Sequence, residues 1–133
     1  MNIFIMSISF SNRMANILIG DDSTAIRLIL KEILIIDDHN VVGEAKDGDE
    51  TIVMYHALRP DLLLLDLTMP KKDGLTVIKE IISKHPEAKI ILITASDNQQ
   101  FIQHCLDSGA LSFISKPFSF KNVLKVVSEI LAK

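Results

Sequence analysis

Five short apolar runs recur along the chain: Ile17 to Ile19, Val41 and Val42, Leu62 to Leu65, Ile90 to Ile93, and Leu111 to Ile114. Most of them do not alternate with polar residues. Strands read this way when both faces are covered, which marks a parallel sheet held between layers of helix. Helical patterns of the length a β-α-β crossover requires lie between the runs. The last is the clearest, with Val123, Val126, Val127, Ile130 and Leu131 at i, i+3, i+4, i+7 and i+8, and Lys121, Lys125 and Glu129 on the other side. The first helix is predicted to start near Ser23, an acceptable N-cap, and to bury Ile26, Ile29, Leu30, Ile33 and Leu34. The third carries Leu75, Ile78, Ile81 and Ile82 and is closed by His85-Pro86. The second, about residues 49–58, and the fourth, about 98–108, are less regular. The second offers Ile52, Val53 and Ala57 with Tyr55 and His56 in its middle; the fourth offers Phe101, Ile102, Cys105 and Leu106, with Gly109 placed as a C-cap. Strands and helices in strict alternation predict one doubly wound α/β domain of five parallel strands and five helices.

A chain of 133 residues has room for one such domain with a real core and leaves no space for a second, output domain. With 48% apolar and 23% charged residues the composition is globular. A net charge of -3 gives no footprint for direct binding to nucleic acid, which rests on clustered Lys and Arg. The single cysteine, Cys105, sits in an apolar helical pattern and reads as a buried, inert thiol, a usage suited to a reducing cytoplasm. The opening MNIFIMSISFSNR resembles a short signal peptide in its apolar residues. It lacks a basic residue before them and a small-residue cleavage signal after them, and it is too short to span a bilayer. Residues 1–14 are therefore read as an N-terminal extension, disordered or loosely packed, with Met14 a second possible start; residues 15–133 form the domain.

In an open parallel sheet, chemistry gathers outside the carboxyl ends of the strands. The first strand ends in Asp21 and Asp22, the third in Asp66, the fourth in Thr94 and the fifth in Lys116. Three carboxylates together repel one another unless a cation occupies the site. Hard oxygen ligands without His or Cys suit Mg²⁺ better than zinc or copper. A hard divalent ion draws phosphate oxygens, and Lys116 and Thr94 add a positive charge and a hydroxyl donor, so the rim is suited to stabilising a phosphoryl group. Asp66 has the chemistry to attack phosphorus and carry the group as an acyl phosphate.

Each residue also has a plainer explanation. Asp22 can cap the first helix, Asp66 can be a turn aspartate before Pro70, and Lys116 before Pro117 can be a solvated loop lysine. What sets these residues apart is that all five fall at the same ends of successive strands. The histidines His39, His56, His85 and His104 fall in separate loops and helices, and each reads as a surface or half-buried side chain outside any metal set.

With those residues placed, the sequence closely resembles the receiver domain of two-component response regulators, and is similar to the single-domain type typified by the chemotaxis response regulator. The pieces that carry the resemblance are ILIGDDS at 17–23, DLLLLDLTMPKKDG at 61–74, IILITAS at 90–96 and GALSFISKPF at 109–118, covering nearly everything from Asn16 onward. The resemblance implies a flavodoxin-like fold with strand order 2-1-3-4-5. It implies that Asp66 is the phosphoacceptor, that Asp22, Asp66 and the main-chain carbonyl of Thr68 bind Mg²⁺ with Asp21 assisting through water, and that Thr94 and Lys116 hold the phosphoryl oxygens. Phe113 stands where the family has its switch aromatic, which moves with Thr94; as a plain residue it is a core phenylalanine. The implied partners are a sensor histidine kinase or phosphotransfer protein, and an effector that binds the face made by the fourth helix, fifth strand and fifth helix. No direct nucleic-acid or membrane contact is implied, and the state is monomer or phosphorylation-dependent dimer. The resemblance further implies a cytoplasmic phosphoacceptor that assists its own phosphorylation and dephosphorylation, and not an enzyme.

Departures from the family pattern are small. Gly20 replaces the apolar residue usual before the acidic pair, and Thr68 and Ser96 occupy two positions that tune loss of the phosphate. Two other readings compete. An aspartyl-phosphate phosphatase commonly has a second Asp two residues after its nucleophile, where this chain has Thr68. An interaction module that kept the fold without the chemistry would show loss of an acidic residue or the lysine, and neither is lost.

Overall fold

The computed structural model describes residues 14–133. Of the proposed N-terminal extension, everything before Met14 lies outside the described residues. In chain order the elements are β1 (Asn16–Gly20), α1 (Thr24–Ile36), β2 (Asn40–Ala45), α2 (Gly48–Leu58), β3 (Leu62–Asp66), α3 (Gly74–Lys84), β4 (Ile90–Thr94), α4 (Gln99–Asp107), β5 (Ser112–Ser115) and α5 (Phe120–Leu131). The five strands pair in parallel in the order β2-β1-β3-β4-β5, the predicted 2-1-3-4-5.

The apolar runs explain why the sheet lies in the middle. Every residue of β3 and β4 is buried, as are the last four of β1. Burying one Leu or Ile side chain contributes about 1.5–3 kcal/mol, so strands lined on both faces by these residues are stable only between two helical layers. On one face Ile17, Ile19, Leu62, Leu64, Ile91 and Ile93 meet Leu30 and Leu34 of α1 and Val123 and Val127 of α5. On the other, Leu18, Leu63, Leu65, Ile90 and Leu92 meet Ile52 of α2, Val77, Ile78 and Ile81 of α3, and Cys105 of α4. The edge strands are less covered: β2 is mostly half-buried, and in β5 only Ile114 is buried.

Each helix is opened by a side chain that accepts the N–H three residues on: Ser23, Asp47, Asp73, Asn98 and Ser119. Those bonds satisfy donors that a helix start otherwise leaves unpaired. Gly109 follows α4 with φ 131, and a Cβ there would lie 2.7 Å from Ile82 Cγ1, so both conformation and space require glycine.

Three expectations need correction. Ile29 is 44% exposed and not buried; α1 is apolar nearly all round, and the sheet takes the face carrying Arg27, Leu30, Ile33 and Leu34. Val53 is 67% exposed and Ala57 is exposed as well, while α2 buries Thr51, Ile52 and Tyr55. Two histidines are buried: His39, whose Nδ1 accepts the Ala15 N–H at 3.1 Å, and His85, whose Nε2 is 2.8 Å from His56 Nδ1. Cys105 is buried and free, and burial pushes its thiol pKa up, which keeps it protonated and unreactive.

Candidate functional site

Parallel strands that all end at one edge bring distant residues together there. Asp21 and Asp22 follow β1, and β1 lies beside β3, which ends in Asp66. Ligand oxygens of Asp21, Asp22 and Asp66 lie within 4.8 Å of one another, with Asp21 and Asp66 buried and Asp22 exposed. From the loop after β5, Lys116 reaches in, its Nζ 3.1 Å from Asp21 Oδ2 and 3.7 Å from Asp66 Oδ1. The Lys116–Pro117 peptide is cis.

Asp21 is held on all sides. Its N–H donates to the Ala45 carbonyl at 3.0 Å, Oδ1 accepts the Ser23 N–H at 2.8 Å, and Oδ2 accepts from Lys116. Asp66 is 3% exposed, and its Oδ1 faces both the N–H and the hydroxyl of Thr68 at 3.3 Å. Burial holds the Asp66 carboxyl above the ordinary aspartate range, with repulsion from Asp21 next; Lys116 and the Thr68 N–H pull the other way, and Asp22 adds a smaller push upward. A carboxylate that is costly to charge, facing two others, favours a cation.

The donor set fits Mg²⁺. It consists of carboxylate oxygens, hard ligands that match a hard divalent ion. Among the described residues, this is the one group of three or more metal-capable side chains that come together.

The other predicted residues fall around this cluster. Thr94 is fully buried at the end of β4, and its Oγ1 accepts the Ser96 N–H at 2.9 Å, which leaves the hydroxyl proton to donate elsewhere. Thr68 is exposed and meets Asp66 through its N–H and hydroxyl. Phe113 pairs with Leu92 across β4 and β5 and is 36% exposed, so in this conformation it is not a core side chain. Gly20 lies where a Cβ would come 2.8 Å from Thr51 Oγ1, so the buried threonine of α2 fills the space an apolar side chain would take.

Sequence reasoning missed Arg27. It sits on the buried face of α1, where its Nη1 donates to the Asp21 carbonyl at 2.7 Å and its Nε to Glu44 Oε1 at 3.0 Å. No signal in the sequence marked it, because α1 carries apolar residues on its exposed face as well as on its buried one.

The chain matches the response regulator receiver domain family over residues 17–128. It is 37% identical over 114 residues to the chemotaxis protein CheY of Thermotoga maritima, covering 86% of this chain and 95% of that one. It is likewise 37% identical over 118 residues to protein CcdB of Bacillus subtilis, covering 89% and 98%. A chain in the crystal structure of the CheX-CheY-BeF3-Mg²⁺ complex from Borrelia burgdorferi superposes with a TM-score of 0.84 at 36% identity, covering 89% of this chain and 90% of that one. The family match spans both the acidic pair and the lysine, and the relatives share more than a third of their residues along nearly their whole length. The chain belongs to the receiver domain family of two-component response regulators.

Proposed function

We propose that this receiver domain accepts a phosphoryl group on Asp66 from the phosphohistidine of a sensor kinase or phosphotransfer protein. The observation that carries this reading is the convergence of Asp66 with Asp21, Asp22 and Lys116 at one rim of the sheet. An Asp66 carboxylate oxygen attacks phosphorus, the phosphorus–nitrogen bond of the donor breaks, and the departing imidazole keeps the electron pair and takes up a proton. Lys116 offers its ammonium to the transferred oxygens, and the Thr68 N–H, now facing Oδ1, steadies the attacking carboxylate. Asp21, Asp22, Asp66 and the Thr68 carbonyl would hold Mg²⁺, which supplies charge neutralisation for phosphoryl oxygens when bound.

The Thr94 hydroxyl, with its proton free to donate, is the group that senses the new phosphate, and half-exposed Phe113 on the neighbouring strand is the side chain that follows it. The domain then shifts population toward a form that binds a partner. The face of α4, β5 and α5 suits that partner because it exposes Leu111, Phe113 and Phe120. On this reading the domain works in the cytoplasm as a switch, changing its own phosphorylation state without turning over an external substrate.

The test is incubation with Mg²⁺ and acetyl phosphate, followed by intact-mass measurement. One added phosphoryl group is expected, lost in Asp66→Ala and in EDTA. Labelling of Asp66→Ala at the wild-type level removes the assignment.

A further inference from the structure

We propose that Arg27 is a positioning residue for the cation site, fixing the Asp21 main chain so that the Asp21 carboxylate is presented to the ion, with Glu44 as the anchor that sets Arg27. This rests on the reading of the acidic rim given above. Arg27 is 8% exposed, one of few charged side chains buried in the domain. Taking a guanidinium out of water is costly, and an apolar residue at this position would pack α1 on the sheet as well or better. The cost of burying the arginine is offset by what its donors hold.

Nη1 donates to the Asp21 carbonyl at 2.7 Å, Nε to Glu44 Oε1 at 3.0 Å, and Nη2 reaches Thr24 Oγ1 at 3.4 Å. Glu44 is itself held by Lys31 Nζ at 3.0 Å on its other oxygen, so the anchor is fixed from two sides. Asp21 then has a partner at every polar atom. Its N–H goes to β2, its carbonyl to α1, Oδ1 to the first turn after β1 and Oδ2 to Lys116. Of these four, the carbonyl bond is the one made by a side chain that touches no carboxylate of the site. Freeing it lets the Asp21–Asp22 peptide turn, and both carboxylates turn with it. Partners placed one step behind metal ligands typically change metal affinity by 10- to 100-fold when removed.

The test titrates metal-free protein with MgCl₂, following the backbone amide resonances of Asp21, Asp22 and Asp66 by NMR, alongside urea denaturation in EDTA. Arg27→Met, which keeps an unbranched apolar stem, is expected to bind Mg²⁺ about 10-fold or more weakly. Glu44→Gln lies half-exposed and does not threaten folding; it is expected to weaken Mg²⁺ binding in the same direction by a smaller factor. Arg27→Lys keeps the charge but cannot span Asp21 and Glu44 together, so it is expected to bind Mg²⁺ as weakly as Arg27→Met. Wild-type Mg²⁺ affinity in both Arg27→Met and Glu44→Gln overturns the proposal. So does a loss of affinity in Arg27→Met that Arg27→Lys fully recovers, because charge alone would then suffice. If the wild-type protein itself bound no Mg²⁺, the reading of the acidic rim would fail first, and the two failures are told apart by that control.

Discussion

Asp66→Asn is expected to stabilise the protein in EDTA and to abolish its stabilisation by Mg²⁺. At an effective dielectric of about 20, two like charges within 4.8 Å repel by at least about 3.5 kcal/mol, and opposite charges 3.7 Å apart attract by about 4.5 kcal/mol. Asp21 and Lys116 therefore nearly cancel at Asp66, and the exposed, screened charge of Asp22 adds a little repulsion. Desolvation is left as the deciding term, in agreement with burial being the first cause of the raised Asp66 pKa. Asparagine keeps the shape and an acceptor for Thr68, and Lys116 keeps its closer partner Asp21 at 3.1 Å. The gain at neutral pH is about 1–2 kcal/mol, the scale of one buried polar group relieved of its desolvation penalty.

The pH dependence follows from the sign of the shift. A carboxyl whose folded pKa is raised binds protons more readily in the native state, so wild-type stability falls as pH climbs from the unfolded value of about 3.8 through the folded one. The advantage of asparagine is thus fully present above that window and absent below it. Urea denaturation followed by far-UV circular dichroism, compared at equal slope, measures it. Mg²⁺ at ten times its dissociation constant stabilises the wild type by about 1.4 kcal/mol, so the order of the two proteins narrows or reverses in magnesium. An asparagine variant equal to or weaker than wild type in EDTA at pH 7, or an advantage that grows on acidification, refutes the reasoning.

Gly20→Ala places a Cβ 2.8 Å from Thr51 Oγ1 and should cost about 1–3 kcal/mol as overpacking. Combined with Thr51→Ala it should cost clearly less than the sum of the two single changes in urea denaturation, and strict additivity would sink the claim that one side chain fills the other's space. His39 and His56 both have folded pKa values lowered from 6.5, chiefly by burial, so the unfolded chain takes up protons that the folded chain resists. Their contribution is intact above about pH 6.5 and is lost as pH falls below it. The urea midpoint should decline from pH 7 to pH 5, and a His39→Asn, His56→Gln double variant should show a shallower decline; an unchanged slope would exclude them.

The order of elements and the rim residues were legible because both depend on local pattern. Leu62 to Leu65 ending in Asp66 needs only the rule that a doubly covered strand is apolar until it leaves the sheet. Ser23 needs only its position before a helix. The orientation of α1 was not legible, because in TAIRLILKEILII apolar residues occupy the buried and the exposed faces alike. Leu28, Ile29, Ile35 and Ile36 all stand in solvent while Arg27 is buried, and periodicity gives no reason to prefer that face. The pair His56–His85 was hidden for a different reason. Its members are 29 residues apart, on α2 and just after α3, and meet only when those two helices pack.

Register decides the rest. Ile17 pairs with Val41, but Leu18 pairs with Gly43, so Val42 is passed over and every later residue of β2 moves by one. A one-residue slip in a strand sends each side chain to the opposite face. With the irregularity, Glu44 lies beside Ile19, on the face that α1 covers, and there it meets Arg27 and Lys31. Without it, Gly43 would lie beside Ile19 and Glu44 would point toward α2, leaving Arg27 buried with no carboxylate to pair with. The same shift aligns Gly20 with Ala45, whose carbonyl accepts the Asp21 N–H. A single skipped residue at the edge of the sheet thus supplies both the anchor of Arg27 and one support of Asp21. Neither is visible in a sequence whose strands are read one at a time, because each is a property of the pairing between two of them.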